Sequence, residues 1–264
     1  MNYYFIEIAF DGSDFSGWQS QPNKSAVQDA IQYQLSNLYK TKISVNGSSR
    51  TDAGVHSLGL GASFATPIKP YIPLKNIKHF LNNAFSNKIY INHVKEVSED
   101  FHARYSSLGK TYSYLINIGK DTNPFLSKYS IHLPKFQNLC EVRKALKYIE
   151  GEHDFKSFTV KQLKNNITDT VRTIYKVDLI EFDNMLSINF TGNGFLYKMI
   201  RSLMGSIIDI GTDLLTSQEI LRLFEIKNRS EASRTAPPHA LFLRKVFYDK
   251  KEMEDHKITK LPFL

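Results

Sequence analysis

The sequence predicts an α+β protein of two ferredoxin-like β-α-β-β-α-β halves, residues 1–105 and 106–264, with their sheets merging into one mixed or antiparallel sheet flanked by helices. Three observations support this. Each half opens on a strand whose apolar residues alternate with period 2. Helix-period apolar runs lie between the strands. The order of elements then recurs after residue 105.

In the first half, Tyr4, Ile6, Ile8 and Phe10 share one face of a strand, and a polar, glycine-containing loop runs from Asp11 to Lys24. Ser25 stands three residues before Gln28, the spacing of a capping box. Val27, Ala30, Ile31, Leu35 and Leu38 then follow at helical intervals. Strands are expected at about Ile43–Gly47 and Gly61–Ala65, and a helix over Leu74–Ala84 with Pro73 at its first turn. Ile89–Val97 closes the half as a strand. In the second half, Tyr112, Tyr114, Ile116 and Ile118 alternate. Leu139, Val142, Leu146 and Ile149 mark a helix, and Val171–Phe182 and Leu186–Thr191 are strands joined at Asp183-Asn184. A long apolar helix is expected over Gly194–Ile210, a short helix capped by Thr216 and Glu219, and a last strand over Leu241–Tyr248.

Length and composition narrow the function. The 264 residues suffice for one large domain or two ordinary ones, and 42% hydrophobic with 23% charged residues excludes wholesale disorder. No apolar run reaches the ~18 residues of a membrane span. The N-terminus reads as a strand of the mature protein rather than a secretion signal, so a soluble cytoplasmic protein is expected. The single cysteine, Cys140, excludes an internal disulfide and a Cys-rich zinc site. A net charge of +8, spread along the chain without a basic tail, suits an anionic partner met by a folded surface.

The chemically richest stretch is Ser48–Gly59, between two expected strands. It puts Arg50, Thr51, Asp52 and His56 within seven residues, with Gly54 permitting a tight turn. Residue types alone leave two readings open: an ordinary polar turn, or a carboxylate fixed by a guanidinium for nucleophilic or acid–base work. Phosphate-binding, dinucleotide-binding, zinc-protease and nucleophile-elbow motifs are all missing. Any catalysis therefore has to rely on side chains.

The run RTDAGVH, Arg50–His56, resembles the signature of the tRNA pseudouridine synthase A family. The similarity extends from about Tyr4 to Tyr248 through FDGSDFSGWQSQP, FHARYSSLGKTYSYLI, GEHDFKSF, TVRTIYKV, GNGFLYKMIRSLMG and TAPPHALFL, in family order. The resemblance implies the pseudouridine synthase fold and a cofactor-free, homodimeric isomerase. Its expected partner is tRNA, with uridines of the anticodon stem-loop at positions 38, 39 and 40 converted to pseudouridine. It implies Asp52 as the essential carboxylate with Arg50 beside it, Tyr112 as the ring in the uridine pocket, Arg201 as the basic partner of the aspartate, and Leu241 in a late pocket motif. A symmetric dimer with two equivalent clefts, each where the two halves of a chain meet, is expected.

Arg201 also has a physical argument. Gly194, Lys198, Arg201 and Gly205 fall on one stripe of the expected helix. Exposed cations on an amphipathic helix are the plain interpretation. The helix is apolar nearly all round, however, which favours burial and a carboxylate partner, for which Asp52 is the candidate. Trp18 suits either core packing or a pocket, while His56 and Cys140 suit structural roles. Arg104, Lys110, Lys161, Lys164, Arg172 and Lys198 are phosphate-contact candidates. Ser49, Ser57, Leu60-Gly61 and Arg234 depart from the family pattern. An RNA-binding protein without activity is disfavoured by the intact set of Arg50, Asp52, Tyr112 and Arg201. A metal-dependent nuclease is disfavoured by the lack of clustered carboxylates.

Overall fold

The computed structural model describes residues 1–22, 25–85, 87–160 and 169–262. The chain is α+β, as expected, and forms two compact units. One comprises Met1–Leu108 with Phe242–Lys257, the other Gly109–Leu241 with Ile258–Leu264.

The first unit runs β1 (Asn2–Phe10), α1 (Val27–Tyr39), β2 (Val45–Gly47), β3 (His56–Thr66), α2 (Leu74–Ala84) and β4 (Ile89–Glu96), the expected β-α-β-β-α-β order. The alternating face of β1 is fully sequestered, with Tyr4, Ile6, Ile8 and Phe10 all buried. β1 pairs antiparallel with β3 on one side and β4 on the other, and β2 adds to β3. β3 begins at His56, five residues before the expected start. The reason is a second neighbour: His56 and Ser57 pair parallel with Phe242 and Leu243 of a later strand, so small and polar residues here are interior. The Ser57 hydroxyl is satisfied there, 3.3 Å from Ile8 O and 3.4 Å from Leu243 O.

The expected capping box at Ser25 and Gln28 does not form. Ala26 occupies the cap position, and the Ser25 hydroxyl bonds that of Ser16. Gln28 turns away to accept from Ser20 N–H at 2.8 Å and donate to Val45 O at 2.7 Å, so loop and strand outcompete the cap. Pro73 lies at the cap of α2.

The second unit runs β5 (Gly109–Asn117), β6 (Ile131–His132), α3 (Leu139–Ile149), β7 (Gly151–Asp154), β8 (Val171–Phe182), β9 (Met185–Gly192), α4 (Met199–Gly211) and α5 (Gln218–Ile226). β5, β9, β8 and β7 form consecutive antiparallel pairs, and the short β6 lies parallel to β5. The β8–β9 hairpin turns at Asp183-Asn184 as expected, Asp183 at φ 49°. β6 and β7 were not foreseen; at two and four residues they carry no periodic signal.

Two expectations in this unit need correction. α4 begins at Met199, not Gly194, because Lys198 is left-handed at φ 58° and interrupts the helix. Gly194 and Lys198 therefore do not share a helical stripe with Arg201. Thr216 and Glu219 form no capping box either: Glu219 pairs with Arg222, and Ser217 takes the cap position. The chain ends with β10 (Leu241–Phe247), whose Phe242 onward belongs to the first unit, and the unforeseen α6 (Lys250–Asp255), capped by Asp249 accepting from Glu252 N–H. Among the described residues, no helix is long and apolar enough to cross a membrane.

α3 and α5 are joined by Glu141, which accepts from Lys144 Nζ at 2.7 Å and from Ser217 N–H at 2.9 Å. The Lys144 bond, followed by the Ser217 bonds, lowers this carboxyl from 4.5 to about 2. A lowered folded-state value favours the ionised form, so its contribution is complete above 4.5 and drains away as pH falls toward about 2. Thermal unfolding of Glu141→Gln against wild type between pH 2 and 6 should show the stability gap closing over that interval.

Candidate active site

Asp52 sits on a turn whose shape comes from backbone. Val55 N–H donates to Asp52 O at 3.1 Å, and Gly54 at φ 78° occupies the third position, as in a type II turn. The side chain of Asp52 is half-buried, while that of Arg50 is exposed. The loop proper is thus Ser48–Val55, with His56–Gly59 already in β3.

The first loop lies directly on this turn. Trp18 N–H donates to Thr51 O at 3.2 Å. Gly17 has φ 93°, and a Cβ there would come 2.4 Å from Thr51 O and 3.1 Å from the carbonyl carbon of Asp52. Only glycine meets both conditions, so Gly17 sets the height of the Asp52 backbone. Trp18 is 1% exposed, with its ring against Gly47, which assigns it to the core rather than to a pocket. His56 is buried and stacked on Phe242 at 4.7 Å. Its Nδ1 accepts from Gly12 N–H at 3.0 Å. Asp11 Oδ1 lies 3.2 Å from the same nitrogen and accepts from Ser13 N–H. The histidine therefore ties the first loop to β3.

In the second unit, Tyr112 lies on β5 opposite Phe190 of β9. It is buried, edge-on to Phe195 with centroids 5.2 Å apart. Two residues on, Tyr114 shares its face. Its hydroxyl donates to Pro237 O at 3.0 Å, and burial pushes this phenol up, opposed by the nearby Arg201 charge. Arg201, in the first turn of α4, is half-buried rather than enclosed. Its Nε donates to Ala236 O at 2.8 Å, while Ala236 N–H donates to Arg201 O at 2.9 Å. Gly205, one turn further along α4, lets the same segment approach. A Cβ there would fall 1.9 Å from Arg234 O. Leu241 is buried at the start of β10.

The structure thus links Tyr114 to Pro237 and Arg201 to Ala236 within the second unit, and sets Asp52 on a clamped turn of the first. Tyr114, Ala236 and Pro237 were not singled out from sequence. The TYSY alternation carries the signal for Tyr114, but Ala236 and Pro237 act through carbonyls, which side-chain patterns do not reveal. Among the phosphate candidates, Arg104 is exposed with its guanidinium over the Tyr105 ring. Lys198 lies over the Tyr197 ring and Arg172 beside Asp169. Lys161 and Lys164 fall outside the described residues. Cys140 is exposed on α3. Among the described residues, no three His, Cys, Asp or Glu side chains cluster as metal ligands.

The clamp on Asp52 is open to test. Gly17→Ala should lower stability by about 1–3 kcal/mol, since the added methyl is both strained and overpacked. Urea unfolding would show the midpoint fall with an unchanged slope.

A family model described as tRNA pseudouridine synthase matches residues 7–106 and 145–249. The chain is 39% identical over 251 residues to tRNA pseudouridine synthase A 1 of Protochlamydia amoebophila, covering 94% of this chain and 97% of that one. It is 40% identical to tRNA pseudouridine synthase A of Geobacillus sp., with 92% and 96% covered. With the Bacillus subtilis protein of the same name the figures are 38%, 92% and 97%.

Proposed function

The chain belongs to the tRNA pseudouridine synthase family, and we propose that it isomerises uridines at positions 38, 39 and 40 of the tRNA anticodon stem-loop, with Asp52 as nucleophile and without a cofactor. Membership makes it an isomerase acting on tRNA. The finer reading is supported by one observation above all: the Asp52 carboxylate stands on a turn whose backbone is clamped by the first loop. A nucleophile fixed in this way loses little entropy on reaching the transition state.

The reaction breaks the bond between N1 of uracil and C1′ of ribose and forms one between C5 and C1′. C5 loses a proton and N1 gains one, so the atoms balance within the substrate. A carboxylate assists by bonding covalently to the substrate or by stabilising positive character at the sugar carbon. In this reading Tyr112 offers its ring to the extruded base, a contact commonly worth ~1–3 kcal/mol. Arg201 is the cationic partner of Asp52, its guanidinium plane fixed through Nε by Ala236 O. Arg50, exposed beside the turn, supports the Asp52 carboxylate, and Leu241 belongs to the substrate-binding set. What joins these groups here is the family pattern. The enzyme acts in the cytoplasm as a symmetric homodimer, which doubles the basic surface offered to one tRNA.

Asp52→Asn keeps size and most hydrogen bonding but removes the charge and the nucleophile. Its pseudouridine formation on unmodified tRNA should fall below detection, while tRNA affinity stays within about threefold. Robust turnover by the purified variant would sink the assignment of Asp52. In a separate measurement, sedimentation at micromolar concentration should give about twice the chain mass. A fully active monomer would contradict the dimer.

A further inference from the structure

We infer that Arg229 is a positioning residue for Arg201, acting through the backbone strap 232–237; the inference rests on the isomerase reading above. Arg229 opens the short turn Arg229–Glu231 that follows α5. Its guanidinium is part-buried and donates to uncharged oxygens of the strap: Nη1 to Ala232 O at 3.1 Å and Ser233 O at 3.0 Å, and Nη2 to Thr235 Oγ1 at 2.9 Å. Burial alone shifts this group, and downward, against its charge. An arginine kept for charge would be expected beside an anion. Here the planar fork serves as a rigid template spanning three acceptors.

The strap passes from that template to the site. Arg234 O rests on Gly205 of α4. Ala236 then brackets Arg201 by two backbone contacts, one of them to the guanidinium Nε, and Pro237 O takes the Tyr114 hydroxyl. Arg229 thus holds one end of a segment whose other end orients Arg201 and Tyr114. Neither carbonyl at 236 or 237 can be removed by substitution, so Arg229 is where the device can be probed.

The test uses the full chain with Arg229→Gln, Arg229→Lys and the milder Thr235→Val, which removes one acceptor. Lysine keeps the charge but cannot span three oxygens. Both Arg229 variants should speed hydrogen exchange at the Ala236 amide. They should lower kcat for pseudouridine formation ~10- to 100-fold with KM for tRNA within about threefold; Thr235→Val should fall between them and wild type. A double variant of Arg229→Gln with Arg201→Lys should lose no more kcat than Arg201→Lys alone, because the two act as a unit. Unchanged exchange at Ala236 overturns the strap. Unchanged kcat in any Arg229 variant with faster exchange, or losses that multiply in the double variant, overturns the positioning role. A wild-type chain that forms no pseudouridine is seen in the same assay and counts against the isomerase reading, while the exchange result still judges the strap.

Discussion

The first loop lies on the Asp52 turn with no side chain between the two backbones, and the shape of the site in the first unit depends on that contact. Trp18 N–H holds Thr51 O, Gly17 removes the atom that would push the strands of chain apart, and the buried Trp18 ring keeps the loop from lifting. His56 adds a second tie through Gly12. The carboxylate is therefore presented by a turn whose neighbours are fixed by packing and by backbone hydrogen bonds, which vary less with thermal motion than a pair of long charged side chains would.

The second unit solves a similar problem by a similar route. α4 and the strap approach closely because Gly205 has no side chain, and the bonds between them run through carbonyls and amides. Arg201 and Tyr114 each give a donor to this strap, so their orientations are linked through two consecutive residues. In both units the candidate side chains are few, and the backbone around them is specified by glycines, prolines and buried aromatics.

That division explains what could be read from sequence. β1, α3 and the β8–β9 hairpin were legible because each exposes a clear period, and Asn138 caps α3 in the ordinary way. The start of β3 was hidden because a strand with neighbours on both sides tolerates Ser, Gly and His in place of alternation. Capping patterns at Gln28 and Glu219 misled because those side chains are taken up by tertiary or helical partners instead. The start of α4 was hidden by a left-handed lysine, a conformation seldom signalled by that residue. At the site, the RTDAGVH run and the TYSY alternation announced themselves, whereas the clamp at Gly17 and the strap at 232–237 join segments far apart in sequence. The departures also acquire reasons: Ser57 is bonded within the sheet, and Gly61 makes room for the Phe5 ring and the Tyr248 hydroxyl.

β10 has a consequence for how the protein is made. The first unit begins at the first residue, yet it borrows Phe242–Lys257 from the far end of the chain, and Phe242 and Leu243 pair with the stretch that follows the Asp52 turn. A ribosome moving from N- to C-terminus completes the contiguous body of the second unit while the first still lacks a strand. During that interval the edge of β3 is unpaired at His56 and Ser57, an invitation to wrong strand pairing. Ser48–Gly61, which contains that edge, is mostly small or polar with three glycines, a composition that templates strand aggregation poorly.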